Sequence, residues 1–314
     1  MTSVIPFVGK MPEAEAREWI GVMAPRLPGC RIDRFVDLKD DDRSTAEVAI
    51  VANPDPAELA MLPNLRWVQS LWAGVERLVA EMPNDAVRIV RLADPQMADT
   101  MAEAVLAWTL YLHRDMPRYR AQQLARIWQQ HALPLPAERR IGLLGLGVLG
   151  RRSAELLAGH GFSVAGWSRS NTRIENVETS TGSQGLRAML TRTDILVCLL
   201  PLTAETRGML NADTLSLLPK NAAVINFSRG PVLQTGALTA LLESGRLSHA
   251  VLDVFDEEPL PPQSPLWTNP AITVLPHISA PTNVETASAI ACANISHFLK
   301  TGEMPESVNR ERGY

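Results

Sequence analysis

The chain has 314 residues, with 30 basic and 34 acidic side chains and a formal net charge of −4. That balance argues against nucleic acid or an anionic membrane as partner. Hydrophobic residues at 46% and charged residues at 20% fit a folded globular protein, and the length suits two domains with sizeable cores.

In the first hundred residues, strand-like and helix-like patterns alternate. SVIPFV (3–8) and CRIDRFV (30–36) read as strands. Between them, PEAEAREWIGVMAPRL reads as an amphipathic helix opened by Pro12. VAIVANP (48–54), RWVQSLWAG (66–74) and VRIVRLAD (87–94) follow as strands. Such alternation predicts a parallel sheet covered by helices. A long helix is expected from Asp99 to about Gln130, with a possible break near Pro117, and HALPLPAERR (131–140) reads as a connector.

The second half alternates more clearly. Its expected strands are RIGLLGL, FSVAGWSR, DILVCLLPL, AAVINFSRG, HAVLDVFDEEP and ITVLPHIS. The expected helices are VLGRRSAELLAGHG, SQGLRAMLTRT, NADTLSLLPKN and QTGALTALLESGRLS. The nearly continuous apolar run DILVCLLPL suits a strand buried on both faces. A final amphipathic helix, NVETASAIACANISHFLKTG, lies beyond the last strand. About thirty residues are too few for a domain, so this helix is expected to pack back on the N-terminal unit and make that unit discontinuous.

Cys30, Cys198 and Cys292 are an odd, widely spaced set, without CxxC or a Cys/His cluster of zinc spacing. No structural metal is expected, and the pattern suits a reducing, cytoplasmic setting. The opening MTSVIPFVGKMPEAEAREW has no basic segment before a long apolar stretch, so no secretory leader is expected. No apolar run reaches membrane-spanning length.

The stretch IGLLGLGVLGRR (141–152) carries the strongest local signal. Gly145, Gly147 and Gly150 fit G-x-G-x-x-G between an expected strand and an expected helix. The first glycine allows the tight turn, the second lets backbone approach a pyrophosphate, and the third permits close helix packing. The helix start, at Val148 and Leu149, offers unpaired N–H groups and a partial positive charge. A site for NAD would carry Asp or Glu at the end of the next strand. Here GWSRSNTR (166–173) has Ser168 at that place, followed by Arg169, Ser170 and Arg173. A cation among hydroxyls suits a 2′-phosphate, so NADPH is expected over NADH. Arg169 is the expected phosphate reader. Arg151 and Arg152 read as the start of the helix, with Arg151 able to approach the pyrophosphate.

Three stretches carry charged residues at the ends of apolar strands: Arg229 in INFSRG, Asp253 and Glu258 in VLDVFDEEP, and His277 in LPHIS. The C-terminal ends of parallel strands open into the crevice where such sheets bind ligands. Arg, Glu and His converging there would orient a substrate, tune a pKa and supply a general acid. Read alone, DEE is a solvated turn; its place before Pro259 singles out Glu258 over Asp256 and Glu257. Asp253 has a structural reading beside its functional one. His113, His131, His160, His249 and His297 lack comparable context and are read as surface or core residues. Glu103 is read as structural.

GLGVLG, LLPLTAETRGMLN, NAAVINFSRGPVL, LDVFDEEPLP and LPHISA run in one order over roughly residues 100–282. In that order they resemble the D-isomer-specific 2-hydroxyacid dehydrogenase family. LWAGVERL (71–78) resembles its substrate loop, and the Ser168-Arg169 pair with Trp72 is most similar to the glyoxylate/hydroxypyruvate reductase A branch.

The resemblance implies an α/β fold of two doubly wound parallel-sheet domains. A Rossmann-type cofactor domain (101–282) would be inserted in a discontinuous flavodoxin-like substrate domain (1–100 and 283–314). It implies that Arg229 holds the carboxylate of a 2-oxo acid, that His277 donates the proton, and that Glu258 supports His277. Backbone N–H groups of Ala73 and Gly74 would assist the carboxylate, with Trp72 bounding the pocket. Asp253 would meet the nicotinamide carboxamide. Pro201, Leu202, Thr203, Phe227 and Ser228 would complete the cofactor site with Arg229 and His277. The implied reaction is NADPH-dependent reduction of glyoxylate or hydroxypyruvate, with NADH a weaker cofactor, by a homodimer. The alternatives are a dehydrogenase for a bulkier 2-oxo acid and a non-catalytic dinucleotide sensor.

Overall fold

Short β-branched runs with polar punctuation fold into two parallel sheets, because helical crossovers between them leave each strand pointing the same way. The computed structural model describes residues 3–82 and 86–310. The chain divides into two units, Met1–Gln96 with Thr282–Tyr314, and Met97–Pro281. The expected divisions at 100/101 and 282/283 lie within four residues of these. Residues 1–2, 83–85 and 311–314 of the expected first domain lie outside the described residues.

Among the described residues of the first unit, five strands form one sheet: β1 (Ser3–Gly9), β2 (Cys30–Arg34), β3 (Val48–Ala52), β4 (Trp67–Ser70) and β5 (Arg88–Val90). Their order is β2-β1-β3-β4-β5, parallel throughout, which is the flavodoxin-like winding. VAIVA of β3 is buried at every position, as a strand covered on both faces must be. The C-terminal helix Val284–Thr301 belongs to this unit. Phe298 packs edge-on against Trp67 at 5.5 Å, and Asn294 donates to the buried Gln69 carboxamide oxygen at 2.9 Å. The alternating apolar face read from the sequence therefore has its partner in the first sheet.

In the second unit the described strands are β6 (Arg140–Leu144), β7 (Ser163–Trp167), β8 (Val177–Ser180), β9 (Ile195–Cys198), β10 (Ala222–Asn226), β11 (Leu247–Leu252) and β12 (Ile272–Val274). They run β12-β11-β10-β9-β6-β7-β8, all parallel. This is the Rossmann order with one strand added, and its switch point lies between β6 and β9. Side chains alternate between two cores: Ile195, Val197, Ala223 and Ile225 enter one, Leu196, Cys198, Ala222 and Val224 the other.

Several elements differ from expectation. The long helix runs Pro95–His113, then restarts as Met116–Ala125 after Asp115 in the left-handed region at φ 59°. Pro117 does not cause the break by sitting inside a helix; it occupies the first turn of the second one, where its missing N–H costs nothing. Strand β8 (VETS) is polar and half-buried, and its pattern gave no signal. NADTLSLLPKN contributes only the turn Ala212–Leu215, capped by Asn211. The helix of QTGALTALLESGRLS stops at Glu243, because Gly245 takes φ +68° and turns the chain into β11.

Candidate active site

The glycine turn follows β6 directly. Gly145 has φ +95°, and a Cβ there would lie 2.8 Å from the Leu199 carbonyl oxygen. At Gly150 a Cβ would come within 1.8 Å of the Gly145 carbonyl oxygen, so the helix Val148–Gly159 can close on the turn only with glycine. Gly147 differs: a Cβ there would meet nothing within 4 Å. Two glycines thus serve packing, while the third leaves open space at the helix start. No side chain caps that helix, so the N–H groups of its first turn face this space uncapped by the protein. This is the cradle a dinucleotide pyrophosphate needs. Val148 is exposed and Leu149 half-buried.

Ser168 is the first residue beyond β7, so no carboxylate stands where NAD-type sites place one. Its hydroxyl donates to the Ser170 carbonyl at 2.6 Å and turns the loop back on itself. Arg169, Ser170 and Arg173 are exposed. Arg151 donates to the Arg173 carbonyl at 3.2 Å, and Arg152 pairs with Asp99 at 2.5 Å. Both helix-start arginines therefore have protein partners, while Arg169 and Arg173 are exposed cations of the loop after β7. Beyond β9, Thr206 Oγ1 donates to the Pro201 carbonyl at 2.7 Å and accepts from the Thr203 N–H at 2.8 Å, shaping the Pro201-Leu202-Thr203 turn. The Thr203 hydroxyl donates to Glu205 and, ahead of the nearby Arg169 charge, holds that carboxyl below its usual range.

His277 and Glu258 meet beyond β11 and β12. His277 Nδ1 donates to Glu258 Oε2 at 2.7 Å. Glu258 Oε1 accepts the Phe255 N–H at 2.9 Å, so both carboxylate oxygens are oriented. The hydrogen bond to Glu258 raises the His277 pKa, opposed by partial burial and by the Arg229 charge and helped by the Glu258 and Asp253 charges. Burial by itself raises Glu258, but hydrogen bonds from His277 and Phe255, with the His277 and Arg229 charges, outweigh it and leave the carboxyl low. His277 lies in the left-handed region at φ 53°, uncommon for a residue with a Cβ. Asp253, almost fully buried, secures that conformation: its two oxygens accept the Ile278 N–H at 2.7 Å and the Ser279 N–H at 2.9 Å. Both carboxylate oxygens are committed to the histidine loop, so the structural reading of Asp253 carries this geometry.

Arg229 ends the turn after β10, half-buried, with Nη1 donating to the Ser228 carbonyl at 2.7 Å. Phe227 and Ser228 face inward. Phe227 enters a core and Ser228 Oγ donates to Asn226 Oδ1 at 2.6 Å, so only their backbone is left for a ligand. Asn226, completely buried at the end of β10, had escaped notice in the sequence. Its signal was a lone amide closing an apolar strand two residues before a serine.

Trp72, Ala73 and Gly74 belong to the first unit, just after β4. Ser70 Oγ donates to the Trp72 carbonyl at 3.1 Å and accepts the Trp72 N–H at 3.0 Å. Trp19 packs edge-on to Trp72 at 6.1 Å, and the Trp72 indole N–H is buried without a partner. Of the other histidines, His249 bonds Thr273 Oγ1 at 2.9 Å, and burial pushes it down to about 4. His113 is likewise buried and depressed by burial. Among the described residues no cluster of His, Cys, Asp or Glu has metal-binding geometry.

The model of the D-isomer specific 2-hydroxyacid dehydrogenase NAD binding domain matches residues 106–279. The chain belongs to the D-isomer specific 2-hydroxyacid dehydrogenase family. It is 36% identical to glyoxylate/hydroxypyruvate reductase A of Salmonella heidelberg (strain SL476), over 96% of this chain and 98% of the relative. Its fold matches a family member from Xanthobacter autotrophicus Py2 solved with NADPH and MES, at TM-score 0.92 and 37% identity over 100% of both chains. It also matches an NADPH-dependent glyoxylate/hydroxypyruvate reductase from Sinorhizobium meliloti, solved with NADP and sulfate. That match has TM-score 0.90 and 33% identity, over 99% of this chain and 100% of the other. Within the one sheet the glycine turn follows β6, Arg229 follows β10, Glu258 follows β11 and His277 follows β12.

Proposed function

We propose that this chain reduces small 2-oxo acids, glyoxylate and hydroxypyruvate, to the corresponding 2-hydroxy acids with NADPH. The observation that carries the reading is the 2.7 Å pair of His277 Nδ1 and Glu258 Oε2, in the same strand-end set as Arg229. Gly145, Gly147, Gly150 and the Ser168-Arg169 loop would hold NADPH, which would supply a hydride when bound. Arg229 binds the substrate carboxylate, for which a planar guanidinium fork is suited. His277, kept protonated by Glu258, gives its Nε2 proton to the carbonyl oxygen as the carbonyl carbon gains hydrogen. The histidine ends neutral and is reprotonated from solvent before the next turnover.

Homologues from Salmonella and Sinorhizobium that bear the glyoxylate/hydroxypyruvate reductase name support the substrate class. The absence of a carboxylate after β7 supports NADPH over NADH. A panel of 2-oxo acids with each cofactor, followed by loss of reduced-nicotinamide absorbance, tests the reading. A branched or aromatic 2-oxo acid favoured over both small ones would reassign the substrate.

The functional form is proposed to be a homodimer. Leu124 and Trp128 are 77% and 98% exposed, and Ile127 and Leu135 of the same stretch are exposed too, apolar side chains that a second copy would cover. Light scattering on the purified protein gives the mass directly. The three cysteines are free thiols, which supports a cytoplasmic setting. Among the described residues no helix is long and apolar enough to cross a membrane.

A further inference from the structure

We infer that Asn226 is a positioning residue for Arg229, acting through a buried hydrogen-bond chain that runs from Cys198 through Ser228. The inference rests on the proposed reduction of a 2-oxo acid carboxylate held by Arg229.

Cys198 and Asn226 are the last residues of β9 and β10 and lie opposite each other in register. Both are fully buried, and Ser228 is nearly so. The Asn226 carboxamide oxygen accepts the Ser228 hydroxyl at 2.6 Å and the Ser228 N–H at 3.2 Å. Its Nδ2 donates to the Arg229 carbonyl in a longer contact of 3.4 Å. Ser228 has one hydroxyl hydrogen, which Asn226 receives, so the thiol 3.4 Å away must be the donor to Ser228 Oγ. Burial pushes that thiol up, so it keeps the hydrogen it donates.

Strand β10 ends at Asn226, and past the Phe227 N–H no ladder sets the path of the residues that follow. One carboxamide takes over, spanning the turn from the Ser228 N–H to the Arg229 carbonyl. The backbone on either side is also tied: Phe227 N–H donates to the Cys198 carbonyl at 3.1 Å, and Asp253 N–H to the Asn226 carbonyl at 3.1 Å. A lone amide in an otherwise apolar strand costs desolvation unless all its partners are made. Here the oxygen accepts twice and the nitrogen donates once, all within the turn that ends in Arg229, so the guanidinium starts from a tied backbone. None of these side chains is assigned contact with the 2-oxo acid.

The test is a double-mutant cycle. Asn226→Ala and Ser228→Ala are made singly and each combined with Arg229→Lys, and kcat/KM for glyoxylate is measured with saturating NADPH. A misplacement of Arg229 on the order of 1 Å predicts a loss of up to about 10²-fold for Asn226→Ala. The loss should appear as a raised KM for glyoxylate, with NADPH affinity by fluorescence and the basic limb of the pH profile unmoved. In the Arg229→Lys background the same substitution should cost less than about threefold, because residues acting as one unit are not additive. Equal losses in both backgrounds, or a loss confined to NADPH affinity, overturn the inference. Ser228→Ala keeps the carboxamide and removes only the hydroxyl link, so it carries the same cycle if Asn226→Ala does not fold. A wild-type protein inactive on every 2-oxo acid would instead refute the proposed function, with the inference falling alongside it.

Discussion

Gly230 and Phe255 approach backbone to backbone with no room for a side chain between them: a Cβ on Gly230 would lie 2.0 Å from the Phe255 carbonyl carbon and 2.1 Å from its oxygen. Gly230 follows Arg229 in the chain, and the Phe255 N–H holds Glu258 at 2.9 Å. The turn that carries Arg229 and the loop that carries Glu258 are thus packed backbone to backbone. Gly230→Ala should push both apart, costing about 1–3 kcal/mol of stability as overpacking does. Thermal unfolding reads that loss, and kcat/KM should fall with it because two functional groups move together. A variant of wild-type stability and activity would show that the contact is not needed.

Asp253 and His277 are linked through backbone. Asp253→Asn keeps one acceptor but turns an N–H group toward the amides of Ile278 or Ser279, which Asp253 now accepts. A buried donor left facing a donor costs about 1–3 kcal/mol. The left-handed His277 then loses its clamp, so kcat should fall while the KM for the 2-oxo acid changes little. Steady-state kinetics with a melting curve separate this from general destabilisation.

Much of the site was legible in the sequence, and what was not has physical reasons. The glycine turn, Arg229, Glu258 and His277 announce themselves because charge and glycine at strand ends break an apolar pattern. The Rossmann winding follows from the alternation of short apolar runs and helices. Strand β8 was invisible because VETS is a half-buried edge, where burial does not impose a pattern. Asn226 was missed because its role lies in which groups its amide reaches, and spacing does not reveal that. Phe227 and Ser228 stand in the expected order, but strand parity turns their side chains inward. The contacts of Arg151 with the Arg173 carbonyl and with Glu155 were not legible either, because they depend on how the loop after β7 folds beside the helix.

The His277 pKa is raised chiefly by its hydrogen bond to Glu258. Reduction needs the protonated ring, so the rate should hold at low pH and decline as pH rises through the raised value. Glu258→Gln removes the carboxylate charge, and the imidazolium then loses its proton more readily. The basic limb of kcat/KM should move to lower pH. The same linkage acts on stability. The stabilising contribution of protonated His277 is fully present below its ordinary pKa of about 6.5. It is lost as pH rises through the folded value. An unshifted limb in Glu258→Gln would remove Glu258 from this role.

Arg169 is expected to separate the two nicotinamide cofactors. A hydrogen bond to a charged group is worth about 1.5–3 kcal/mol, or about 10- to 150-fold at 1.4 kcal/mol per decade. Arg169→Ala should lose that factor in kcat/KM for NADPH and leave NADH nearly unchanged. Parallel losses with both cofactors would place Arg169 away from the 2′-phosphate.

The central claim is that His277 is the proton donor in NADPH-dependent reduction of a small 2-oxo acid. Single-turnover reduction of glyoxylate by wild type and His277→Ala, with NADPH affinity measured on both, tests it most directly. The expected result is a wild-type protein active on glyoxylate, and a variant about 10²–10⁴-fold slower that still binds NADPH. A His277→Ala protein that turns over glyoxylate at the wild-type rate would contradict the account.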